Sequence, residues 1–210
     1  MKKEEIKQQN YEKILSTASV LFFTNGISGT NMYQIALASG ISKAALYKHF
    51  ATKYDIAKEL VYRRLDKAKA DFEEEWRAVP GETGAEDLKR IFDYIVKVVD
   101  GDIVICALYM DYAIYAQRFH SDEIAELYEK VDGVFRSGIV GALEKGRADG
   151  SLVFSGETEE LYEILYDDLI GAKAFFYMRN ATRMSPKRLA EMRRRLKFNV
   201  DSIMNMLSGS

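Results

Sequence analysis

Residues 30–50 read TNMYQIALASGISKAALYKHF and contain two short segments of helical periodicity separated by Gly40. Thr30 and Ser42 precede the two segments, at positions where a side-chain hydroxyl can cap a helix. Ala36, four residues before Gly40, is small enough to let the two helices cross closely. Two short helices joined by a turn that contains glycine form a helix-turn-helix, so this stretch predicts that motif.

The second helix of the motif has one inward and one outward side. Leu46 and Phe50 lie four residues apart, and together with Ile35 and Ile41 they can pack the motif onto a first helix. The opposite side is then free to enter the major groove of a DNA duplex, as recognition helices do. The residues on that side are Ala44, Ala45, Tyr47 and Lys48.

Positive charge is concentrated at the N-terminus. Residues 1–54 hold seven lysines and three acidic residues, although the whole chain has a net charge of −2. A basic segment on an acidic body indicates a polyanionic partner for that segment alone, with chance as the alternative explanation.

Helical periodicity continues to the C-terminus, and no long stretch alternates as a β-strand does, so we predict an all-α fold. Capping-box patterns at Thr52 with Asp55 and at Thr83 with Glu86 predict the starts of two helices. Gly101 is expected to end one helix before the next begins. The predicted helices cover about 3–24, 31–39, 42–50, 52–78, 83–99, 102–119, 121–146, 157–179 and 186–207.

Several classes of protein are disfavoured by composition. The single cysteine, Cys106, excludes an internal disulfide, and the N-terminus lacks a secretory signal, so we expect a cytoplasmic protein. No apolar run approaches the roughly 18 residues of a membrane span. His49 and His120 are far apart without metal-ligand spacing, and no catalytic or phosphate-loop motif is present. We therefore expect no metal, no cofactor and no catalytic residue.

The stretch ILSTASVLFFTNGISGTNMYQIALASGISKAALYKHFATKYDI resembles the DNA-binding domain of the TetR (tetracycline-repressor) family over its full length. Three positions depart from the family pattern. The family often has Gly and Thr where this sequence has Ala44 and Ala45, and it often has Ala where this sequence has Ser39. The matching positions are Phe22, Gly26, Thr30, Ile35, Ala36, Gly40, Ile41, Ser42, Leu46, Tyr47, His49, Phe50 and Lys53.

The resemblance implies a transcriptional regulator, repressor by default, and not an enzyme. It implies a helix-turn-helix domain over 1–53 and a helical ligand-binding and dimerisation domain over 54–210. It further implies that phosphates are held by Thr30, Tyr47, His49 and Lys53, and that bases are approached by Ser42, Lys43, Ala44, Ala45 and Lys48. Lys43 and Lys48 can reach guanine or only phosphates, and the sequence leaves both readings open.

The last two predicted helices carry apolar stripes. TetR-like proteins dimerise by pairing these helices, which implies a homodimer on a near-palindromic operator. Burial within one subunit is the alternative. On the last helix the stripe comprises Leu189, Leu196, Val200, Ile203 and Leu207.

The middle of the chain is rich in tyrosine, which is costly to bury unless its hydroxyl finds a partner. We therefore predict a pocket for a small lipophilic effector, which Asp111, Asp167 and Asp168 bias toward cations, whereas an anion would need Arg118 or His120. The alternatives are an architectural DNA-binding protein without an effector, and a helical enzyme that uses Asp111 or Asp168. The predicted lining residues are Trp76, Tyr94, Tyr109, Tyr112, Tyr115, Phe119, Tyr128, Phe135, Tyr162 and Tyr166.

Overall fold

A computed structural model of the chain describes residues 2–78, 80–97, 99–119, 121–180 and 185–208. Every regular element in these ranges is an α-helix, which confirms the all-α prediction. The helices are α1 (Lys2–Asn25), α2 (Met32–Ser39), α3 (Lys43–Tyr47), α4 (Lys53–Ala78), α5 (Gly84–Lys97), α6 (Val99–Phe119), α7 (Ser121–Asp132), α8 (Arg136–Asp149), α9 (Thr158–Asn180) and α10 (Pro186–Leu207). None of the described helices is long and apolar enough to cross a membrane.

Capping signals in the sequence account for the starts of α3, α4, α5 and α10. Thr52 and Asp55 exchange side-chain hydrogen bonds at the start of α4, as predicted. The prediction that Thr30 caps α2 is wrong, because the cap is Asn31. The Asn31 side chain accepts from the Gln34 amide, and the Gln34 side chain accepts from the Asn31 amide in return.

Three predicted boundaries differ from the structure. The single helix expected over 121–146 is two helices, α7 and α8, which are separated at Gly133 because glycine weakens a helix interior. Gly101 lies inside α6 and does not break it. Helix α3 ends at Tyr47 because the next amides, those of Lys48 and His49, bond to carbonyls only three residues back.

The backbone contacts divide the chain into two compact units. Unit 1 comprises Met1–Leu65 and Val104–Tyr128, and unit 2 comprises Asp66–Ile103 and Glu129–Ser210. These units are defined by packing and not by function. The division into a DNA-binding domain over 1–53 and a ligand-binding and dimerisation domain over 54–210 therefore stays a prediction.

Unit 2 is built on α5, which packs against α8 and α10. The approach of α5 to α8 depends on Gly84, where an added Cβ would lie 2.0 Å from the backbone nitrogen of Gly146. Any other residue at position 84 would therefore push the two helices apart.

Three residues of the stripe predicted on α10 belong to the core of their own subunit. Leu196, Val200 and Leu207 are only 2%, 0% and 1% exposed, and α10 packs against α5 and α9 of the same chain. For these three residues the alternative, burial within one subunit, holds, whereas Leu189 and Ile203 are half-buried. The large exposed apolar side chains of α9 and α10 are Ile164, Phe175, Phe198 and Met206.

Candidate nucleic-acid interface

A tight turn fixes α2 against α3. Gly40 has φ of +67°, a left-handed conformation that glycine adopts without strain, and the Ile41 amide donates to the Ala36 carbonyl at 3.0 Å. Ser42 then caps α3, since its hydroxyl accepts from the Ala45 amide at 3.2 Å. Leu46 is fully buried. These contacts hold α3 rigidly while leaving its other side in solvent.

The outward side of α3 carries the residues expected to meet DNA. Ser42, Lys43, Ala44, Tyr47 and Lys48 are exposed. The remaining predicted contacts are less accessible, since Thr30 is buried and Ala45, His49 and Lys53 are half-buried. Their roles toward bases and phosphates stay predictions.

Five of the residues predicted to contact DNA line two depressions on unit 1. Lys43, Tyr47 and Lys53 line one of about 620 Å³, together with Tyr33 from α2. Lys48 and His49 line another of about 340 Å³, which also includes Lys7, Gln8 and Tyr11 of α1. Sequence reasoning missed the α1 residues, although Lys7 and Tyr11 lie four apart and therefore share one helix face.

Lys53 anchors the start of α4 to the loop before α2. Its ammonium group donates to the carbonyls of Ser28 and Thr30 at 3.2 and 2.9 Å. Burial lowers the pKa of this ammonium group. An ammonium group has three donors, so these two bonds leave one for a phosphate.

His49 is held against α1 by aromatic contacts. Its ring lies 5.8 Å from that of Tyr11, which stacks on Phe50 at 5.1 Å. Burial, followed by a hydrogen bond with Glu59, raises the pKa of the Tyr11 hydroxyl. The imidazole is therefore positioned by packing before any DNA arrives.

Thr30 is 1% exposed, and its hydroxyl donates to the Gly26 carbonyl at 2.9 Å, with the Leu21 carbonyl at 3.3 Å. We expect Thr30→Val to lower the free energy of unfolding by about 1–2 kcal/mol, because it removes the donor from a buried carbonyl. Thr24→Val is the matched control, since the Thr24 hydroxyl bonds the Val20 carbonyl on an exposed helix. Urea denaturation would check this. Loss of DNA affinity at unchanged stability would instead assign Thr30 a direct phosphate contact.

The predicted effector-binding aromatics fall into both units. Tyr109, Tyr112, Tyr115 and Tyr128 belong to unit 1, and Trp76, Tyr94, Phe135, Tyr162 and Tyr166 belong to unit 2. The Phe119 side chain, like those of Cys106 and His120, lies outside the described residues. The ten residues therefore do not form one cluster within either unit.

In unit 1 the tyrosines make polar and stacking contacts. The buried Tyr112 donates a hydrogen bond to Glu123, and burial, reinforced by that carboxylate, raises the pKa of Tyr112. Tyr115 stacks on Tyr54 with ring centroids 3.6 Å apart, whereas Tyr128 is exposed. These contacts tie α6 to α4 and α7 within the unit.

In unit 2, Phe72 is surrounded by Trp76, Tyr94 and Phe135, with ring centroids 5.9, 5.5 and 4.9 Å away. A cavity of about 220 Å³ opens beside them. Tyr162 stacks on Tyr166 at 5.5 Å and donates to Asp132, and burial followed by this bond raises the pKa of Tyr162. Sequence reasoning missed the charged residues beside that cavity, which are Glu75, Arg90, Asp93 and Lys97.

The sequence model for bacterial regulatory proteins of the tetR family matches residues 14–60, which include α2 and α3. The chain is 25% identical over 155 residues to the HTH-type transcriptional repressor KstR2 of Rhodococcus jostii (strain RHA1), covering 74% of each protein.

Two solved structures share the fold. A TetR-family transcriptional regulator from Mesorhizobium loti is 20% identical with a TM-score of 0.67, covering 96% of this chain and 98% of that one. A transcriptional regulator from Saccharomonospora viridis in complex with choline is 19% identical with a TM-score of 0.67, covering 94% and 96%. Residues 14–60 therefore form a DNA-binding domain of the tetR type that includes the exposed face of α3, and the chain is similar over most of its length to transcriptional regulators that carry this domain.

Proposed function

We propose that the chain is a homodimeric repressor that binds a near-palindromic operator in the cytoplasm and leaves it when a small lipophilic effector binds. The exposed side of α3, with Lys43, Tyr47 and Lys48 held on a buried Leu46, carries the DNA-binding part. The similarity to KstR2, which is a transcriptional repressor, supports repression.

Dimerisation is assigned to α9 and α10, on a different surface from the stripe that the sequence favoured. Phe175 and Phe198 are 61% and 72% exposed, and both line a groove of about 590 Å³ between the two helices. Arg194 and Arg195 lie beside them in the groove. Exposed aromatic residues and arginine are enriched at protein interfaces, and a two-fold axis would bring this patch against its own copy.

Effector binding is assigned to the aromatic cavity of unit 2. Its buried Phe72 and Tyr94, with Trp76 at the edge, provide the apolar wall that small-ligand sites use. The S. viridis regulator of the same fold binds choline, which supports a small-molecule role for this kind of domain. An architectural DNA-binding protein, the main alternative, would show no change in DNA affinity with any ligand.

The DNA-binding proposal is tested by the salt dependence of affinity for a duplex selected from a random pool. Lys48 is exposed, so Lys48→Ala should reduce the slope of log affinity against log salt by about one if it contacts a phosphate. If it reads a base, preference at one operator position should relax by about 1–3 kcal/mol.

Lys67→Ala is the matched control, because Lys67 is an exposed lysine of α4 whose ammonium group pairs with Asp71. It should leave both the slope and the base preference unchanged. An unaltered slope and an unaltered preference in Lys48→Ala would remove Lys48 from the interface.

A further inference from the structure

The cavity of about 220 Å³ in unit 2 lies between α4 and α5 and combines aromatic walls with charged residues. The aromatic wall is formed by Phe72, Trp76 and Tyr94. The Arg90 guanidinium lies 5.5 Å from the centre of the Trp76 ring, so a cation and an apolar surface adjoin each other here.

The acidic residues of the cavity are already neutralised. Both carboxylate oxygens of Glu75 accept from the Lys97 ammonium group at 3.0 Å. Asp93 accepts from Lys89 at 2.5 Å. The two acids therefore have cationic partners of their own, and one positive charge of the cavity remains.

That remaining charge is on Arg90. Its nearest carboxylate, Asp87, is 3.6 Å away and is already bound by the Lys145 ammonium group and the Gly81 amide at 2.8 and 2.7 Å. The Nη1 atom of Arg90 faces Asp87 and is buried, whereas the Arg90 side chain as a whole is 34% exposed and lines the cavity. A guanidinium beside an aromatic wall is an arrangement that can pair with a carboxylate.

We propose that this cavity binds a small aromatic carboxylate, with the ring against Trp76 and Tyr94 and the carboxylate on Arg90. The volume, below the roughly 300 Å³ of a drug-sized pocket, suits one ring with a short acidic arm. The surplus positive charge favours an anion over the cationic lipophile suggested by the aspartates of the sequence. This inference rests on the proposed function, because it takes the aromatic carboxylate to be the effector of the repressor.

Trp76 provides a direct readout, because it is the only tryptophan in the chain. We would titrate the full-length protein with phenylacetate, uncharged phenylacetamide and cationic 2-phenylethylamine, and follow tryptophan emission. Phenylacetate should change the emission in a saturable way and bind at least about tenfold more tightly than the other two, since only it pairs with a charged donor. Equal binding of the three probes, tighter binding of the amine, or no response to phenylacetate would overturn the proposal.

Arg90→Gln should weaken phenylacetate binding by about tenfold or more, and Arg90→Lys, which keeps the charge but loses the planar pair of donors, should weaken it less. Arg147→Gln removes an arginine elsewhere in unit 2 that does not line the cavity, and its affinity should equal that of the native protein. Full affinity in Arg90→Gln would overturn the assignment of Arg90. If Arg90→Gln fails to fold, the comparison of the three probes on the native protein still decides.

Operator affinity, measured separately, distinguishes failure of this inference from failure of the proposed function. Phenylacetate at saturation should weaken binding to the selected duplex, and Arg90→Gln should remove that response. Binding at Trp76 with unchanged operator affinity would refute the effector role of the carboxylate. Absence of DNA binding without any ligand would refute the proposed function itself.

Discussion

Phe198→Asp should convert the proposed homodimer into a monomer and remove most of the operator affinity. The Phe198 side chain is 72% exposed within one subunit, so the folded subunit loses little when it is replaced. Burying a phenylalanine at an interface contributes about 2–3 kcal/mol to the free energy of dimerisation. A two-fold symmetric interface contains one copy of the residue from each subunit, so the contribution is doubled. The loss of roughly 5 kcal/mol weakens dimerisation by three to four powers of ten.

The loss of DNA affinity follows from the loss of the second half-site. Two linked recognition helices gain about 10²–10⁴ in affinity over one because the second binding event is intramolecular. Light scattering would measure the oligomeric state, and fluorescence anisotropy would measure binding to the selected duplex. Both quantities should fall together as the protein is diluted.

Val20→Asp is the matched control for the oligomeric state, since Val20 is a comparably exposed apolar residue of α1. It should leave the dimer intact. Leu196→Asp differs again, because Leu196 is buried, and it should unfold unit 2 rather than separate two folded subunits. A Phe198→Asp protein that remains dimeric at low concentration would place the interface on another surface.

Leu196 and Phe198 also show the limit of sequence reasoning on α10. Both are large and apolar, and they lie two residues apart, yet Leu196 is buried and Phe198 is exposed. Periodicity identifies apolar faces but does not say whether the same chain or a partner covers them. The sequence predicts an interface on the last two helices, which stays a prediction, and the choice of their free face required the packing of α10 on α5 and α9.

The DNA-binding segment was predictable because its determinants are local. Gly40, Ala36 and Leu46 act within a few residues of one another, and the turn and the buried side chain follow from their types alone. The end of α3 and the cap of α2 were misplaced. Thr30 and Asn31 are both good capping residues, and a contact of Thr30 to Gly26 decides between them.

The aromatic residues were harder to assign because their partners are remote in sequence. Tyr94 and Tyr112 are close along the chain, yet they belong to different units, since the unit boundary falls at Val104. Phe72 meets Phe135 across a long stretch of sequence. Composition predicts that aromatic clusters exist, whereas the grouping of their members depends on tertiary contacts.

Ala44→Glu should reduce operator affinity by about a hundredfold or more while leaving the fold intact. Ala44 is an exposed residue in the first turn of α3, where a carboxylate is compatible with the helix dipole. In a major groove the same carboxylate faces the negative potential of the duplex and loses its hydration without a partner. Stability should therefore be retained while DNA affinity falls.

Ala70→Glu introduces the same charge at an exposed position of α4 in unit 2, which makes it the matched control. Its effect on operator affinity should be small, because a charge beyond the Debye length of about 8 Å is largely screened at physiological salt. Thermal unfolding should be similar for both variants and the native protein, so a loss of affinity in Ala44→Glu alone reflects the interface. Equal affinities for the two variants would show that α3 does not enter the groove with this side, and the recognition surface would then have to be sought around Tyr33 and the α1 residues Lys7 and Tyr11.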